Sequence, residues 1–264
     1  MATYVISDVH GWGVMFESIL KKIHFSSEDN LYVIGDVIDR GPESIMCMQR
    51  IMNAPNIDLI LGNHEFMMLN TLSPTREVSK SGLSIENSSL WLDYNGGMLT
   101  YDQCCNLNEK DRNKLLYWLS NRPVSIKLTV NKRSYILTHS GFNETALGKT
   151  YNDLDYETIF NIVWKSPYRE GSDTHIGHDV YRAHPDCIFI TGHVPVGRMS
   201  HKSKLTAYND PNASNLWDID GGCALINPYN FFPEHSTGII CLRLDDMQEF
   251  VVTFKEVADK IGVL

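Results

Sequence analysis

Short apolar runs rich in valine and isoleucine recur along the chain, and each stops abruptly at polar residues. "TYVIS" ends at "DVHG", "LYVIG" at "DVIDRG", "IDLILG" at "NHE", "SYILT" at "HSG", "CIFIT" at "GHVPV" and "LWDID" at "GG". Runs this short, bounded by glycine, predict buried strands. Between the early ones lie patterns of helical period. "WGVMFESILKKI" spaces Met15, Ile19 and Ile23 along one stripe, and "PESIMCMQRIM" does the same with Ile45, Met48, Ile51 and Met52. Pro42 falls near the start of the second helix, where a missing N–H costs least. The alternation over residues 1–65 predicts βαβ units, an α/β fold, and a site outside the carboxyl ends of its strands. From about residue 187 the chain is strand-dense, and "GIICLRL" and "EFVVTFKEV" alternate in the manner of antiparallel strands. Residues 71–133 predict an excursion over the site: turn-rich "TLSPTREVSKSG", then "WLDYNGG", then the helical "NEKDRNKLLYWLSNRP". No linker, repeat or low-complexity tract interrupts the chain, so residues 1–264 read as one domain.

Composition narrows the class. The chain has 264 residues, 43 % of them hydrophobic, and a net charge of −9. That is enough for a sizeable core. The acidic balance argues against nucleic acid or an anionic membrane as the main partner, since both favour basic patches. A local cationic site can still hold a phosphorylated substrate. Six cysteines, none in a C-x-x-C pair, predict free thiols and a reducing compartment. "MATYVISDVHG" enters a strand at once, and no apolar run approaches the ~20 residues of a membrane span. The expectation is a soluble, cytoplasmic monomer.

The chemistry sits at the strand ends: Asp8, His10, Asp36, Asn63, His139 and His193. This is a donor set of carboxylate, imidazole and amide without thiolate. It suits manganese, iron, zinc or cobalt rather than calcium or a structural zinc. Two metals roughly 3.5–4 Å apart, sharing a carboxylate, clamp an in-line phosphoryl displacement. Asp36 is the natural bridge, because its strand falls between the other two early runs. A lone strand-end aspartate is more often a helix cap; a set of six fits that reading poorly.

"DVHG", "GDVIDRG", "GNHE", "HSG" and "GHVP", in that order, resemble the calcineurin-like metallophosphoesterases. More narrowly they resemble the protein serine/threonine phosphatases of small bacterial and lambda-phage type. "NHEFMM", "WLDYNGG" (Trp91 to Gly97), and Asp220 with Gly221 extend the likeness over nearly the whole chain. The resemblance implies a four-layer α-β-β-α sandwich of two mixed sheets. It implies two divalent metals, manganese foremost: Asp8, His10 and Asp36 would hold the first, and Asp36, Asn63, His139 and His193 the second. Arg40 would bind phosphate oxygens through its planar fork. His64 would protonate the leaving alkoxide, oriented by Asp39, while a metal-bridging hydroxide attacks phosphorus directly. Glu65 has two readings, a brace for its loop or an acid at a helix N-terminus.

One departure concerns the second phosphate-binding arginine, which that type places two residues after a mid-chain tryptophan. Two residues after Trp164 stands Ser166, leaving Arg169 or Lys165 for the role. Arg169 is preferred because its fork grips two oxygens. The opening segment and "RGPES" also resemble symmetrical dinucleoside tetraphosphate hydrolases, but those usually lack an aspartate at the position of Asp39 and read "GNHD". Asp39 and Glu65 therefore favour a phosphorylated protein or peptide substrate. The dinucleotide, another small phosphomonoester and a non-catalytic scaffold remain alternatives. Ser140 beside His139 is poorly placed as a nucleophile, since adjacent strand residues face opposite ways. His175 and His178 read as polar surface residues near the substrate entrance. His24, His184, His201 and His235 read as structural or exposed.

Overall fold

The computed structural model of the protein describes residues 1–72, 88–200, 204–226 and 237–261. The first strands and helices follow the predicted alternation: β1 (Thr3–Ser7), α1 (Gly13–Lys22), β2 (Asn30–Ile34), α2 (Ser44–Met52), β3 (Ile57–Ile60) and α3 (Asn63–Leu72). After them come a π-helical turn at Leu90–Tyr94, α4 (Met98–Cys105) and α5 (Glu109–Ser120). The second half holds β4 (Ser125–Val130), β5 (Arg133–Thr138), α6 (Tyr156–Val163), α7 (Asp179–Arg182) and β6 (Cys187–Thr191). It ends with α8 (Val196–Ser200), β7 (Tyr208–Asn209), β8 (Leu216–Asp218), β9 (Gly238–Arg243), β10 (Gln248–Thr253) and α9 (Phe254–Ile261).

Two five-stranded sheets form, in the orders β10-β9-β1-β2-β3 and β4-β5-β6-β8-β7. Both are mixed. β1, β2 and β3 run parallel, while β9 pairs antiparallel with β1 and with β10. β9 and β10 thus pair as their alternation predicts. β6 and β8 depart from it and run parallel to β5.

Side-chain alternation explains the stacking. Val5, Ile34, Ile60, Ile240 and Leu242 of the first sheet meet Tyr135, Leu137 and Ile190 of the second in one buried cluster. The intervening residues of the first sheet, Tyr4, Ile6, Val33, Leu59 and Cys241, face outward into a cluster with α1, α2 and α3. On the far face of the second sheet, Ile136, Phe189 and Leu216 pack against Phe142 and Tyr181. The result is the expected four-layer sandwich. Its fourth layer is thin, because residues 164–186 carry glycine, serine and proline and supply only the four-residue α7.

Pro42 stands two residues before α2, outside the helix. Of the predicted excursion, residues 73–87 lie outside the described residues, as do His201 and His235. Among the described residues no helix is long and apolar enough to cross a membrane.

Candidate active site

The carboxyl ends of β1, β2, β3, β5 and β6 converge, and all six strand-end residues meet there. Each strand hands over to a residue that leaves it sharply. Among the described residues, Asp8, His10, Asp36, Asp39, Arg40 and His193 have positive φ between 47° and 75°. Such conformations are uncommon for these residue types and cost about 1–3 kcal/mol each. Surrounding hydrogen bonds hold them: His10 N–H donates to Asp36 O at 2.8 Å, and Gly41 N–H to His10 O at 2.9 Å.

Glu65 is the brace. Fully buried, it accepts four backbone N–H groups: Asp36 at 2.8 Å, Val37 at 2.8 Å, Ile38 at 3.3 Å and Gly62 at 3.1 Å. Both sequence readings hold: Glu65 lies in the first turn of α3 and braces the loop that follows β2. Gly62 is needed for close approach, since a Cβ there would lie 2.3 Å from Asp36 Oδ1. Replacing Glu65 with alanine is expected to strip several buried donors of their acceptor, at about 1–3 kcal/mol per unpaired group. Urea unfolding should show a loss of about 3 kcal/mol or more. A loss below about 1 kcal/mol would show that the brace is dispensable.

Among the described residues, two groups of potential ligand atoms form, each within 4.8 Å: His10, Asp36 and His64, and Asp36, His139 and His193. Asp36 belongs to both, as a bridging carboxylate requires. His139 Nε2 lies 3.4 Å from Asp36 Oδ1, and His10 Nε2 lies 3.7 Å from Asp36 Oδ2. Asn63 Oδ1 lies 3.0 Å from His139 Nε2 and 3.0 Å from His193 Nδ1. Asp8 Oδ1 is 3.9 Å from His10 Nε2, while its carboxylate accepts the backbone N–H of His193. Asp8 therefore ties the two groups together rather than standing inside the tighter first one.

The electrostatics point the same way. Burial and the nearby Asp220 raise the Asp8 carboxyl well above its ordinary value, and burial lifts Asp220 to about 7. Burial opposes the charge on Asp36, but His139 and His64 hold its pKa well below normal. Burial and His64 lower His10. His193 Nε2 is buried with no hydrogen-bond partner among the described residues. A buried pack of carboxylates, an orphaned imidazole nitrogen and a thiolate-free donor set fit divalent cations.

His64, a member of the first group, also pairs with Asp39. His64 Nδ1 donates to Asp39 Oδ2 at 2.6 Å, and His64 Nε2 turns toward Asp36 Oδ2 at 3.8 Å. Burial disfavours the charged His64 ring, but Asp36 and the Asp39 bond outweigh it and raise the pKa. Arg40 is exposed, and its charge acts on both His10 and His64. Arg169 is half-buried and its charge acts on His193; burial and Arg198 lower its own pKa. Lys165 instead faces a separate cavity of about 420 Å³ with Phe142, Glu144, His175 and His184.

Other sequence expectations resolve similarly. Ser140 Oγ donates to Lys165 O at 2.9 Å and points away from nucleophilic duty. His175 is exposed, as expected. His178 is half-buried rather than exposed: its Nε2 lies 2.8 Å from Oδ2 of the buried Asp210. His184 packs edge-on against Phe142, and His24 is exposed. Sequence reading missed the partners of Asp39. Trp91 Nε1–H donates to Asp39 Oδ2 at 2.8 Å, and the Asp39 N–H donates to Ser44 Oγ and Thr100 Oγ1. The buried Asp218, which alternates with Asp220 in "LWDID", accepts the Asp220 N–H at 2.9 Å and the Thr191 hydroxyl at 3.1 Å.

Relatives share parts of this chain. Bis(5'-nucleosyl)-tetraphosphatase, symmetrical, from Haemophilus ducreyi is 28 % identical over 145 residues, covering 54 % of this chain and 46 % of that protein. The chain thus spans about half the length of the tetraphosphatase relatives it matches. Serine/threonine-protein phosphatase 2 from Salmonella typhimurium is 25 % identical over 194 residues, covering 73 % of this chain and 79 % of that protein. The fold is shared with a metallophosphoesterase from Sphaerobacter thermophilus at a TM-score of 0.54 and 16 % identity, covering 99 % of this chain and 95 % of that one. The sequence profile of the calcineurin-like phosphoesterases matches residues 1–226, which takes in all six strand-end residues. The chain belongs to the calcineurin-like phosphoesterase family.

Proposed function

We propose that the protein is a metal-dependent phosphomonoester hydrolase acting on phosphoserine or phosphothreonine in proteins. The observation that carries this reading is the buried 2.6 Å hydrogen bond between His64 and Asp39. A serine or threonine alkoxide is a poor leaving group and needs a proton as its bond to phosphorus breaks. A nucleotide leaving group is far better and depends less on that help. Similarity to the Salmonella phosphatase over 79 % of its length supports the same choice.

On this reading Asp8, His10 and Asp36 hold one divalent metal, and Asp36, Asn63, His139 and His193 a second, with manganese the preferred ion. Bound metals supply Lewis acidity toward phosphoryl oxygens and lower the pKa of water. Assigning the Nδ1 proton of His64 to the Asp39 bond leaves Nε2 to deliver its proton to the departing oxygen. Arg40 and Arg169 grip phosphate oxygens from two sides. The whole chain acts as one domain, as a monomer, without nucleic acid or membrane; six free cysteines support a reducing cytoplasm. Symmetrical hydrolysis of a dinucleoside tetraphosphate is the second reading, favoured by the Haemophilus relative.

The test is orthophosphate release from a phosphothreonine peptide, with manganese and after chelation. Release that chelation abolishes is expected. A metal-loaded protein that releases none would overturn the reading. The arginine assignment has its own check. Arg169→Ala should lower kcat/KM by about 10- to 100-fold, the scale of lost charge-assisted hydrogen bonds. Lys165→Ala should cost less than about 3-fold. The reverse order would return the role to Lys165.

A further inference from the structure

Asp39 is fully buried, yet its two carboxylate oxygens are treated unequally. Oδ2 accepts both His64 Nδ1 at 2.6 Å and Trp91 Nε1 at 2.8 Å, while Oδ1 has no hydrogen-bond partner among the described residues. With one donor, Oδ2 can swing about the Cβ–Cγ bond and carry the hydrogen-bonded His64 ring with it; a second donor from another direction fixes that oxygen in place. Trp91 is that donor. Its indole is fully buried, and its position is dictated by a close-packed turn. Gly97 N–H donates to Trp91 O at 2.9 Å, and a Cβ at Gly97 would lie 2.5 Å from Trp91 Nε1. The same turn touches the phosphate-binding side. Arg40 N–H reaches Gly96 O at 3.5 Å, and a Cβ at Gly96 would lie 3.2 Å from Arg40 Cγ. Residues 91–97 therefore clasp Asp39 and Arg40 together from a segment distant in sequence.

We propose that Trp91 is a positioning residue for proton delivery, fixing the Asp39 carboxylate so that His64 Nε2 is aimed at the leaving oxygen. This rests on the acid role proposed for His64. Aromatic bulk alone would fill the space; the indole N–H is what orients the carboxylate. Loss of that donor therefore costs most where the leaving group most needs a proton.

The experiment compares manganese-loaded wild type, Trp91→Phe, His64→Asn and the double variant. Each is assayed on a phosphothreonine peptide and on p-nitrophenyl phosphate. Trp91→Phe is expected to lose about 10-fold in kcat/KM on the peptide, the scale for partners that orient a reacting group, and less than about 3-fold on the nitrophenyl ester. The double variant should be no worse than His64→Asn on the peptide, because both changes disable one device. Should Trp91→Phe fail to fold, Gly97→Ala displaces the same indole and should give the same substrate-selective loss. Equal losses on both substrates, or losses that add in the double variant, would overturn the role of Trp91. If His64→Asn itself lost equally on both substrates, the acid role would fall and the proposal with it.

Discussion

Replacing His64 with asparagine is expected to cut turnover of a phosphothreonine peptide by about 10²–10⁴-fold, the range of general acid catalysis. The loss on p-nitrophenyl phosphate should be much smaller. The reason is the direction of the two ring nitrogens. Nδ1 is committed to Asp39 at 2.6 Å, so Nε2, on the side of Asp36, is the one free to give a proton. Asparagine keeps polarity and approximate size but cannot deliver a proton. A nitrophenolate leaves without one; an alkoxide does not. Steady-state kinetics on both substrates check this, and equal losses would remove the leaving-group role.

Asp36→Asn is expected to act on both halves of the site at once. Asp36 is the residue common to the two ligand groups, and its Oδ1 also accepts the backbone N–H of His64 at 3.0 Å. Asparagine keeps an acceptor for that N–H, so the fold should survive. It loses the negative charge that a ligand shared by two cations would supply. Metal content measured by mass spectrometry should fall below two ions per chain. Activity should fall by roughly 10³-fold or more, as several kcal/mol of transition-state stabilisation disappear. Full occupancy in the variant would show that Asp36 is not the bridge.

The parts of the site carried by strand ends were legible in the sequence for a physical reason. A buried strand must stop where its apolar run stops, so the pattern alone puts Asp8, Asp36, Asn63, His139 and His193 at one edge. Asp36, expected to be shared because β2 lies between β1 and β3, is the residue common to both groups of potential ligand atoms. What escaped was set by contacts between distant segments. Trp91 meets Asp39 across 52 positions, and Thr100 meets it across 61; no local pattern marks either pair. Glu65 sits where a helix-start acid would sit, and only the folded loop reveals that its four donors come mostly from the end of β2. The parallel pairing of β6 and β8 depends on crossovers, which alternation cannot report. His178 looked like a surface residue because its partner, Asp210, lies 32 positions away.

The most direct test of the account is a side-by-side assay of the manganese-loaded protein on a phosphothreonine peptide and on diadenosine tetraphosphate. The account predicts orthophosphate release from the peptide and little cleavage of the dinucleotide. Symmetrical cleavage of the dinucleotide with no release from the peptide would contradict it, and would show that the His64–Asp39 pair serves a leaving group that does not need it.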